Sequence, residues 1–326
     1  MMKPLYVTAA MSLLCAIGAG CGGSPHPPAV PTVQAENLFP PPSVGEQIAF
    51  GPFDVAAGKE VQLCRTVKLS NTEQLGANRL NVKLNTGSHH FILFKARDNQ
   101  SFPDQTFPCW GTVNFEDWEF LMDVNKTGGY DWQLPDGQGF VLEPHQQIMI
   151  QSHYVNATTV QTPAGGLAYL NIHEVPRSHV VHELHGMFTV NTRLAIPPRQ
   201  AYSSDRNCSF SRGVYIVAMT GHFHARGTLF EVNKENATLG NMGEIYHSES
   251  WDSPVFKIFQ DPLLVNGGGE EGVHFACSYY NDTDQQIGFG GHADVQEHCN
   301  LFFQYYNLQE GTQEAPLTCA EGSGGW

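Results

Sequence analysis

Positive charge is scarce in this chain. Its 326 residues carry 17 Lys and Arg against 32 Asp and Glu, for a net charge of −15 with histidine neutral. No basic stripe is available to offset a phosphate backbone, which excludes a nucleic-acid partner. Long amphipathic helical patterns are lacking, which excludes a helical bundle. None of the 8 cysteines stands in a C-x-x-C pair, which removes the usual structural zinc site. The apolar run near the start, Val7 to Ile17, is too short to span a bilayer. What the sequence has instead is 33 Gly and 20 Pro that interrupt many short apolar runs. That pattern predicts an all-β chain of short strands.

The start reads as an export signal. Lys3 supplies the positive end, the run to Ile17 the apolar core, and Gly18-Ala19-Gly20 lead to Cys21. The order resembles a bacterial lipoprotein signal, although Gly18 stands where a Leu is usual. Residues 1–20 are then a removed signal and Cys21 carries lipid, the sole membrane attachment expected. With Gly22 and Gly23 following and no Asp, resemblance to other lipoproteins places the protein in the bacterial cell envelope, at the outer membrane. Residues 21–45 are a Pro-rich tether. Beyond the signal and Cys21, six cysteines remain, and an even number in an exported chain implies disulfides, with fifteen pairings open by counting. Six N-x-S/T sequons, beginning with Asn99, Asn125 and Asn156, suit exposed loops.

From about Gly45 strand-like runs follow one another. "EVQLCRTVKL" (60–69), "HHFILFKA" (89–96), "QQIMIQSHYVN" (146–156) and "GLAYLNIHEV" (166–175) form a first group. "RGVYIVAMTGHFHARGTLFEV" (212–232), "GVHFACSYYN" (272–281) and "CNLFFQYY" (299–306) form a second. Pro176 breaks the run between them. The spacing predicts two β-sandwiches, residues 46–178 and 179–321.

Fifteen histidines are many for this length, and they are unevenly placed. In "GHFHARGTLF" (221–230), His222 and His224 are i and i+2 of a strand and share a face. His89 and His90 open an apolar run, His153 lies in "QSHYVN", and His298 precedes Cys299. Adjacent strand residues face opposite ways, so His89 and His90 can share an ion only at a strand end or kink. Taken singly, each is an ordinary solvated or structural histidine. Histidines without a nearby carboxylate or thiolate suit copper or zinc.

The ordered set resembles the copper type II, ascorbate-dependent monooxygenases, the family of peptidylglycine α-hydroxylating and dopamine β-monooxygenase. It comprises "SHHFILF", "QSHYVN", the "IPP" at 196–198, "GHFHARG", the "GGH" at 290–292 and "CNLFFQYY". The resemblance implies two tandem jelly-roll β-sandwiches beside a solvent-filled cleft, with two copper ions per chain. His89, His90 and His153 would hold the copper that relays electrons from a reductant such as ascorbate. His222 and His224 would hold the catalytic copper, where O2 and a small-molecule substrate meet. It also implies disulfides Cys64–Cys109, Cys208–Cys319 and Cys277–Cys299.

Two departures stand out. Where the family has a methionine ligand before "C-N-L", this chain has His298, which would complete a three-histidine catalytic site. Where peptide-hydroxylating members hold the substrate carboxylate with an arginine and a tyrosine, this chain has Thr220 and Phe302, with Asn300 retained. A C-terminal glycine peptide then lacks its anchors. The reading favoured is an exported copper monooxygenase hydroxylating a C–H bond. The alternatives are a non-catalytic copper-binding lipoprotein that buffers or senses the metal, and a carbohydrate-binding or structural sandwich protein, which leaves the histidines unexplained.

Overall fold

The computed structural model describes residues 39–97, 100–110, 113–125, 128–159, 165–309 and 314–321. The expected signal, Cys21 and most of the tether lie outside them. Strands dominate, as the short interrupted runs predict, and the one short helical element is the 3-10 turn Arg177–His179 among the described residues. No helix among them is long and apolar enough to cross a membrane.

Two sandwiches succeed one another. In the first, one sheet runs Gly45–Phe53, Gly166–Pro176, Leu75–Leu84, Gln138–Leu142, His182–Glu183, with Gly128–Gln133 also paired to Leu75–Leu84. Its second sheet runs Gln105–Pro108, Lys59–Lys68, Gln147–Asn156, Ser88–Ala96, Trp118–Val124. Leu80, Val82 and Leu170 from one sheet meet Phe91, Leu93 and Ile150 from the other in a shared core. In the second sandwich, a sheet of His185–Val190, Asn300–Asn307, Val214–His222 and Lys257–Val265 covers one of Gly240–Ser248, Gly227–Asn236, Glu271–Tyr280, Ala201–Phe210 and Leu317–Glu321. Ile216, Phe303 and Tyr305 pack there on Phe230, Val232 and Phe275. The chain passes from one sandwich to the other at Leu184. Glu183 still pairs with Gly139, whereas His185 pairs with Tyr305.

The sandwiches pack face to face. Alternation sends Phe91 and Leu93 inward, so Ile92 and Phe94 point out of the first sandwich; likewise Phe302 points out of the second while Leu301 and Phe303 point in. These outward residues form a third apolar cluster with Phe120, Trp118 and Met149. The Phe188 and Phe302 rings stack at 4.3 Å, and Phe120 lies 5.0 Å from Phe302. Burying each such ring contributes about 2–3 kcal/mol. Approach is closest at Gly186, where an added Cβ would lie 1.7 Å from the Phe120 carbonyl oxygen, so only glycine fits. This apposition explains why Ser88–Ala96 and Trp118–Val124 are buried along their whole length rather than at alternate positions.

The disulfides are Cys64–Cys109, Cys208–Cys319 and Cys277–Cys299, the three pairs the resemblance implies.

Candidate metal centre

The histidines stand on the two apposed faces. Pairing between Ser88–Ala96 and Gln147–Asn156 shifts register between Ser88 and His90. His89 is the extra residue of this bulge, and its ring comes to the side of His90, with centroids 5.3 Å apart. The bulge is the kink that adjacent histidines need. His153 lies directly across from His90, its ring 5.1 Å from His90 and 5.0 Å from His89.

On the other face the strand ends at His222 and the next begins at Gly227, so "GHFHARGTLF" is not one strand as its alternation predicts. The alternation survives nonetheless. Phe223 packs into the second core, while the His222 and His224 rings stay 5.4 Å apart. The turn closes with Gly227 N donating to His224 O, and a Cβ at 227 would strike the Phe223 ring. Buried Glu297 accepts from the backbone N–H of His224 at 2.8 Å and of Arg226 at 2.9 Å. The His298 ring lies 4.3 Å from His224 and 5.5 Å from His222. The Cys277–Cys299 bridge and a hydrogen bond from the Tyr279 hydroxyl to the His298 carbonyl tie His298 in place.

Across the junction, His89 lies 5.4 Å from His222 and 5.5 Å from His224, and His90 5.6 Å from His222. The six rings therefore form one cluster, where the resemblance implies two sets facing an open cleft. Nitrogens of His89, His90 and His222 lie within 4.8 Å of one another, as do those of His222, His224 and His298. Met219 sits in the second core, away from the rings.

The nitrogens are poised to bind. Those of His90 and His222, His89 Nε2, His153 Nδ1, His224 Nε2 and His298 Nδ1 are buried without a hydrogen-bond partner. A buried, unpaired polar atom costs about 1–3 kcal/mol, so so many together call for a ligand. Burial pushes the imidazoles of His89, His90, His222 and His298 well below their ordinary pKa, and that of His224 down to about 4. All are neutral at pH 7 and offer lone pairs. A soft or borderline cation such as copper fits this all-nitrogen donor set.

Two of the histidines are oriented by acceptors behind them. His153 Nε2 donates to Glu60 Oε2 at 2.9 Å, leaving Nδ1 toward the cluster. His224 Nδ1 donates to the Gln296 carbonyl at 2.9 Å, leaving Nε2 free. Burial would raise the Glu60 carboxyl, but hydrogen bonds from His153 and His292 hold it down at about 2. The Trp251 ring lies 5.8 Å from that of His89.

A cavity of about 310 Å³ adjoins His90, His222 and His298, walled by Phe94, Trp110 and Phe302 among others. Phe302 thus faces the cavity and Phe303 the core. Asp123, Asn125 and Asn300 also line it, each with a buried Oδ1 that has no partner. The sequence reading passed over Glu60, Trp110, Asp123 and Gln296. For Glu60 a signal existed: it shares a strand face with Gln62 and Cys64, where a carboxylate is out of place.

Fold and site together define an all-β protein with a buried six-histidine centre between two sandwiches. Residues 183–321 match the family model described as copper type II ascorbate-dependent monooxygenase, C-terminal domain, and the match supports that family for this part of the chain. No curated protein matches the chain. Among solved structures, the N-terminal CBM22-1–CBM22-2 tandem domain of Paenibacillus barcinonensis Xyn10C overlays 82% of this chain and 95% of its own at 10% identity. Its TM-score of 0.23 is too low to bear on fold or function.

Proposed function

We propose that the protein is an exported copper monooxygenase that hydroxylates a C–H bond of a small organic substrate with O2 and a reductant such as ascorbate. The convergence of six buried histidines with unpartnered nitrogens beside an aromatic cavity carries this reading. One copper would be held by His89, His90 and His153, the other by His222, His224 and His298. Bound copper supplies the one-electron redox chemistry by which O2 is activated.

The remaining work falls to the chain. Phe94, Trp110 and Phe302 exclude water and bind an apolar body. No Lys or Arg is among the described residues lining the cavity, so a substrate carboxylate has no charged partner. Thr220, at the position of the family's arginine, donates its hydroxyl to the Val255 carbonyl instead. The Oδ1 atoms of Asn125 and Asn300 are acceptors for substrate hydrogen-bond donors, and Asp123, whose carboxyl burial favours the protonated form, can donate from its unpartnered oxygen. Export and lipid attachment at Cys21 belong to the same proposal, supported by the signal-like order of the first residues and by three disulfides.

A non-catalytic copper-buffering lipoprotein is the second reading. His298 in the methionine position favours it, since imidazole lacks the thioether's preference for Cu(I). Metal analysis with O2 uptake under ascorbate separates the two. The enzyme reading expects two coppers per chain and O2 uptake that falls at least about 100-fold in His224→Ala. Copper binding with no O2 uptake above background, tested with a broad set of donor-bearing substrates, leaves the buffer reading standing.

A further inference from the structure

Among the described residues, Glu60 is a carboxylate that bonds at once to a histidine of the centre and to a histidine of the opposite sandwich. Its Oε2 accepts from His153 of the first sandwich at 2.9 Å, and its Oε1 from His292 Nδ1 of the second at 2.8 Å. The His292 ring is stacked on Trp110, centroids 4.4 Å apart, and the Cys64–Cys109 bridge anchors Trp110 to the strand that bears Glu60. His292 opens a tight turn, with Gln296 N donating to the His292 carbonyl at 2.8 Å and the Gln296 side chain accepting from His292 N at 3.1 Å. That turn delivers the Gln296 carbonyl to His224 Nδ1, the Glu297 carboxylate to the His224 backbone, and then His298.

We infer that Glu60 is a positioning residue serving both histidine sets at once: one oxygen fixes His153 with Nδ1 toward the cluster, and the other latches the 292–298 turn that orients His224 and His298. An ionised carboxylate only accepts, so both imidazole nitrogens facing it carry hydrogens. His153 is thereby locked in the Nε2–H tautomer, the form whose Nδ1 can donate a lone pair. Outer partners of this kind are worth about 10–100-fold in metal affinity. Through the latch, the same carboxylate sets the geometry behind His224. The metal-affinity consequence rests on the copper reading; the tautomer and the latch do not.

The test uses Glu60→Met, which has similar bulk and no acceptor oxygen, with Glu60→Gln and His292→Phe beside it. In the metal-free protein, imaging imidazole ¹⁵N chemical shifts should find His153 purely Nε2–H in the wild type and in His292→Phe, and a tautomer mixture in Glu60→Met. Hydrogen exchange of the 289–298 amides should quicken about tenfold in both Glu60→Met and His292→Phe, with the strand Ala201–Phe210 unchanged. Chelator competition should show one copper weakened about 10–100-fold in Glu60→Met, largely restored in Glu60→Gln, and within about twofold of wild type in His292→Phe. Unchanged exchange in His292→Phe overturns the latch, and an unaltered His153 tautomer in Glu60→Met overturns the positioning role. Should Glu60→Met fail to fold, Glu60→Gln is read through the exchange: its single acceptor stays with His153, so the 289–298 amides should quicken while the tautomer holds, and unchanged exchange overturns the latch. A wild type that takes up no copper overturns the copper reading, while the shifts and the exchange still decide the role of Glu60.

Discussion

At the junction between the sandwiches, the histidine centre and the cluster of Lys95, Glu119 and His185 are both deeply buried and both draw groups from each side. Side chains of Glu119, His185 and Glu314 even approach within 4.8 Å of one another, as metal ligands would. The difference lies in charge pairing, although His185 Nε2 also has no partner. Lys95 Nζ reaches Glu119 Oε2 at 3.2 Å and the Val141 carbonyl at 3.1 Å, and Arg97 pairs with Glu314. Gly186 N and His185 Nδ1 both lie 3.3 Å from Glu119 Oε1. Burial opposes a charge there, yet Lys95 and His185 hold the Glu119 carboxyl at about 2. A cation entering that cluster must displace two that are already in place. The histidine centre has no such internal partners, and its nitrogens await one. One centre holds the sandwiches together; the other is built to be filled.

Removing one member from each centre gives the sharpest contrast. Glu119→Gln leaves Lys95 buried without its counter-charge and should cost about 3–5 kcal/mol in urea unfolding. His222→Leu in the metal-free protein removes two unpartnered nitrogens and should be neutral or stabilise by about 1 kcal/mol. Equal losses in the two variants would erase the distinction. Copper should then reverse the order of importance. At about 1,000 times its dissociation constant it adds about 4 kcal/mol to wild-type stability, and the same increment should appear in Glu119→Gln. Because His222 nitrogens approach both other histidine groups, His222→Leu should lose most of that increment, whereas His153→Ala should lose one copper and keep the other.

A smaller effect follows from Asp123, whose carboxyl burial pushes up to about 8. An acid with a folded pKa above its unfolded value of about 4 keeps a proton that the unfolded chain has released. Its contribution to stability therefore falls as pH rises from about 4 to about 8, by at most about 1.4 kcal/mol per pH unit. Asp123→Asn removes this slope, so the variant should gain on the wild type across that window and match its trend below pH 4. A constant difference between the two from pH 4 to 8 would contradict the buried, ligand-seeking carboxyl. The least change in stability is expected at His298. X-ray absorption of the Cu(I) form should find nitrogen scatterers only at the wild-type sites, and one sulfur in His298→Met. Sulfur in the wild type would count against His298 as a ligand, with Met219 too deep in the core to replace it without rearrangement.

Much of this was legible along the chain. Short runs cut by Gly and Pro announced strands, and the order of "SHHFILF", "QSHYVN", "GHFHARG" and "CNLFFQYY" pointed to the family whose C-terminal domain matches residues 183–321. The cysteine positions carried the disulfide pairs by resemblance. Less legible were the ends of strands. The H-x-H alternation reads as continuous, but the turn held by Glu297 stops the strand at His222, and that carboxylate lies 73 positions from His224. Likewise the bulge that brings His89 beside His90 is a property of pairing with a neighbouring strand rather than of the local residues.

What the sequence by itself determined is which residues alternate, which can bind a metal and which must be bridged, since these depend on residue type and near neighbours. Only the tertiary structure decided which sheet faces meet. A strand's pattern distinguishes its two faces but not what covers the outer one, and here the outer face of each histidine-bearing sheet is covered by the other sandwich. That apposition merges the histidines into one cluster, aims Phe302 and Asp123 into the cavity, and brings Glu60 to His292 across 232 positions of chain. Contacts at such separation depend on how the two sandwiches pack, so no periodicity within either can record them.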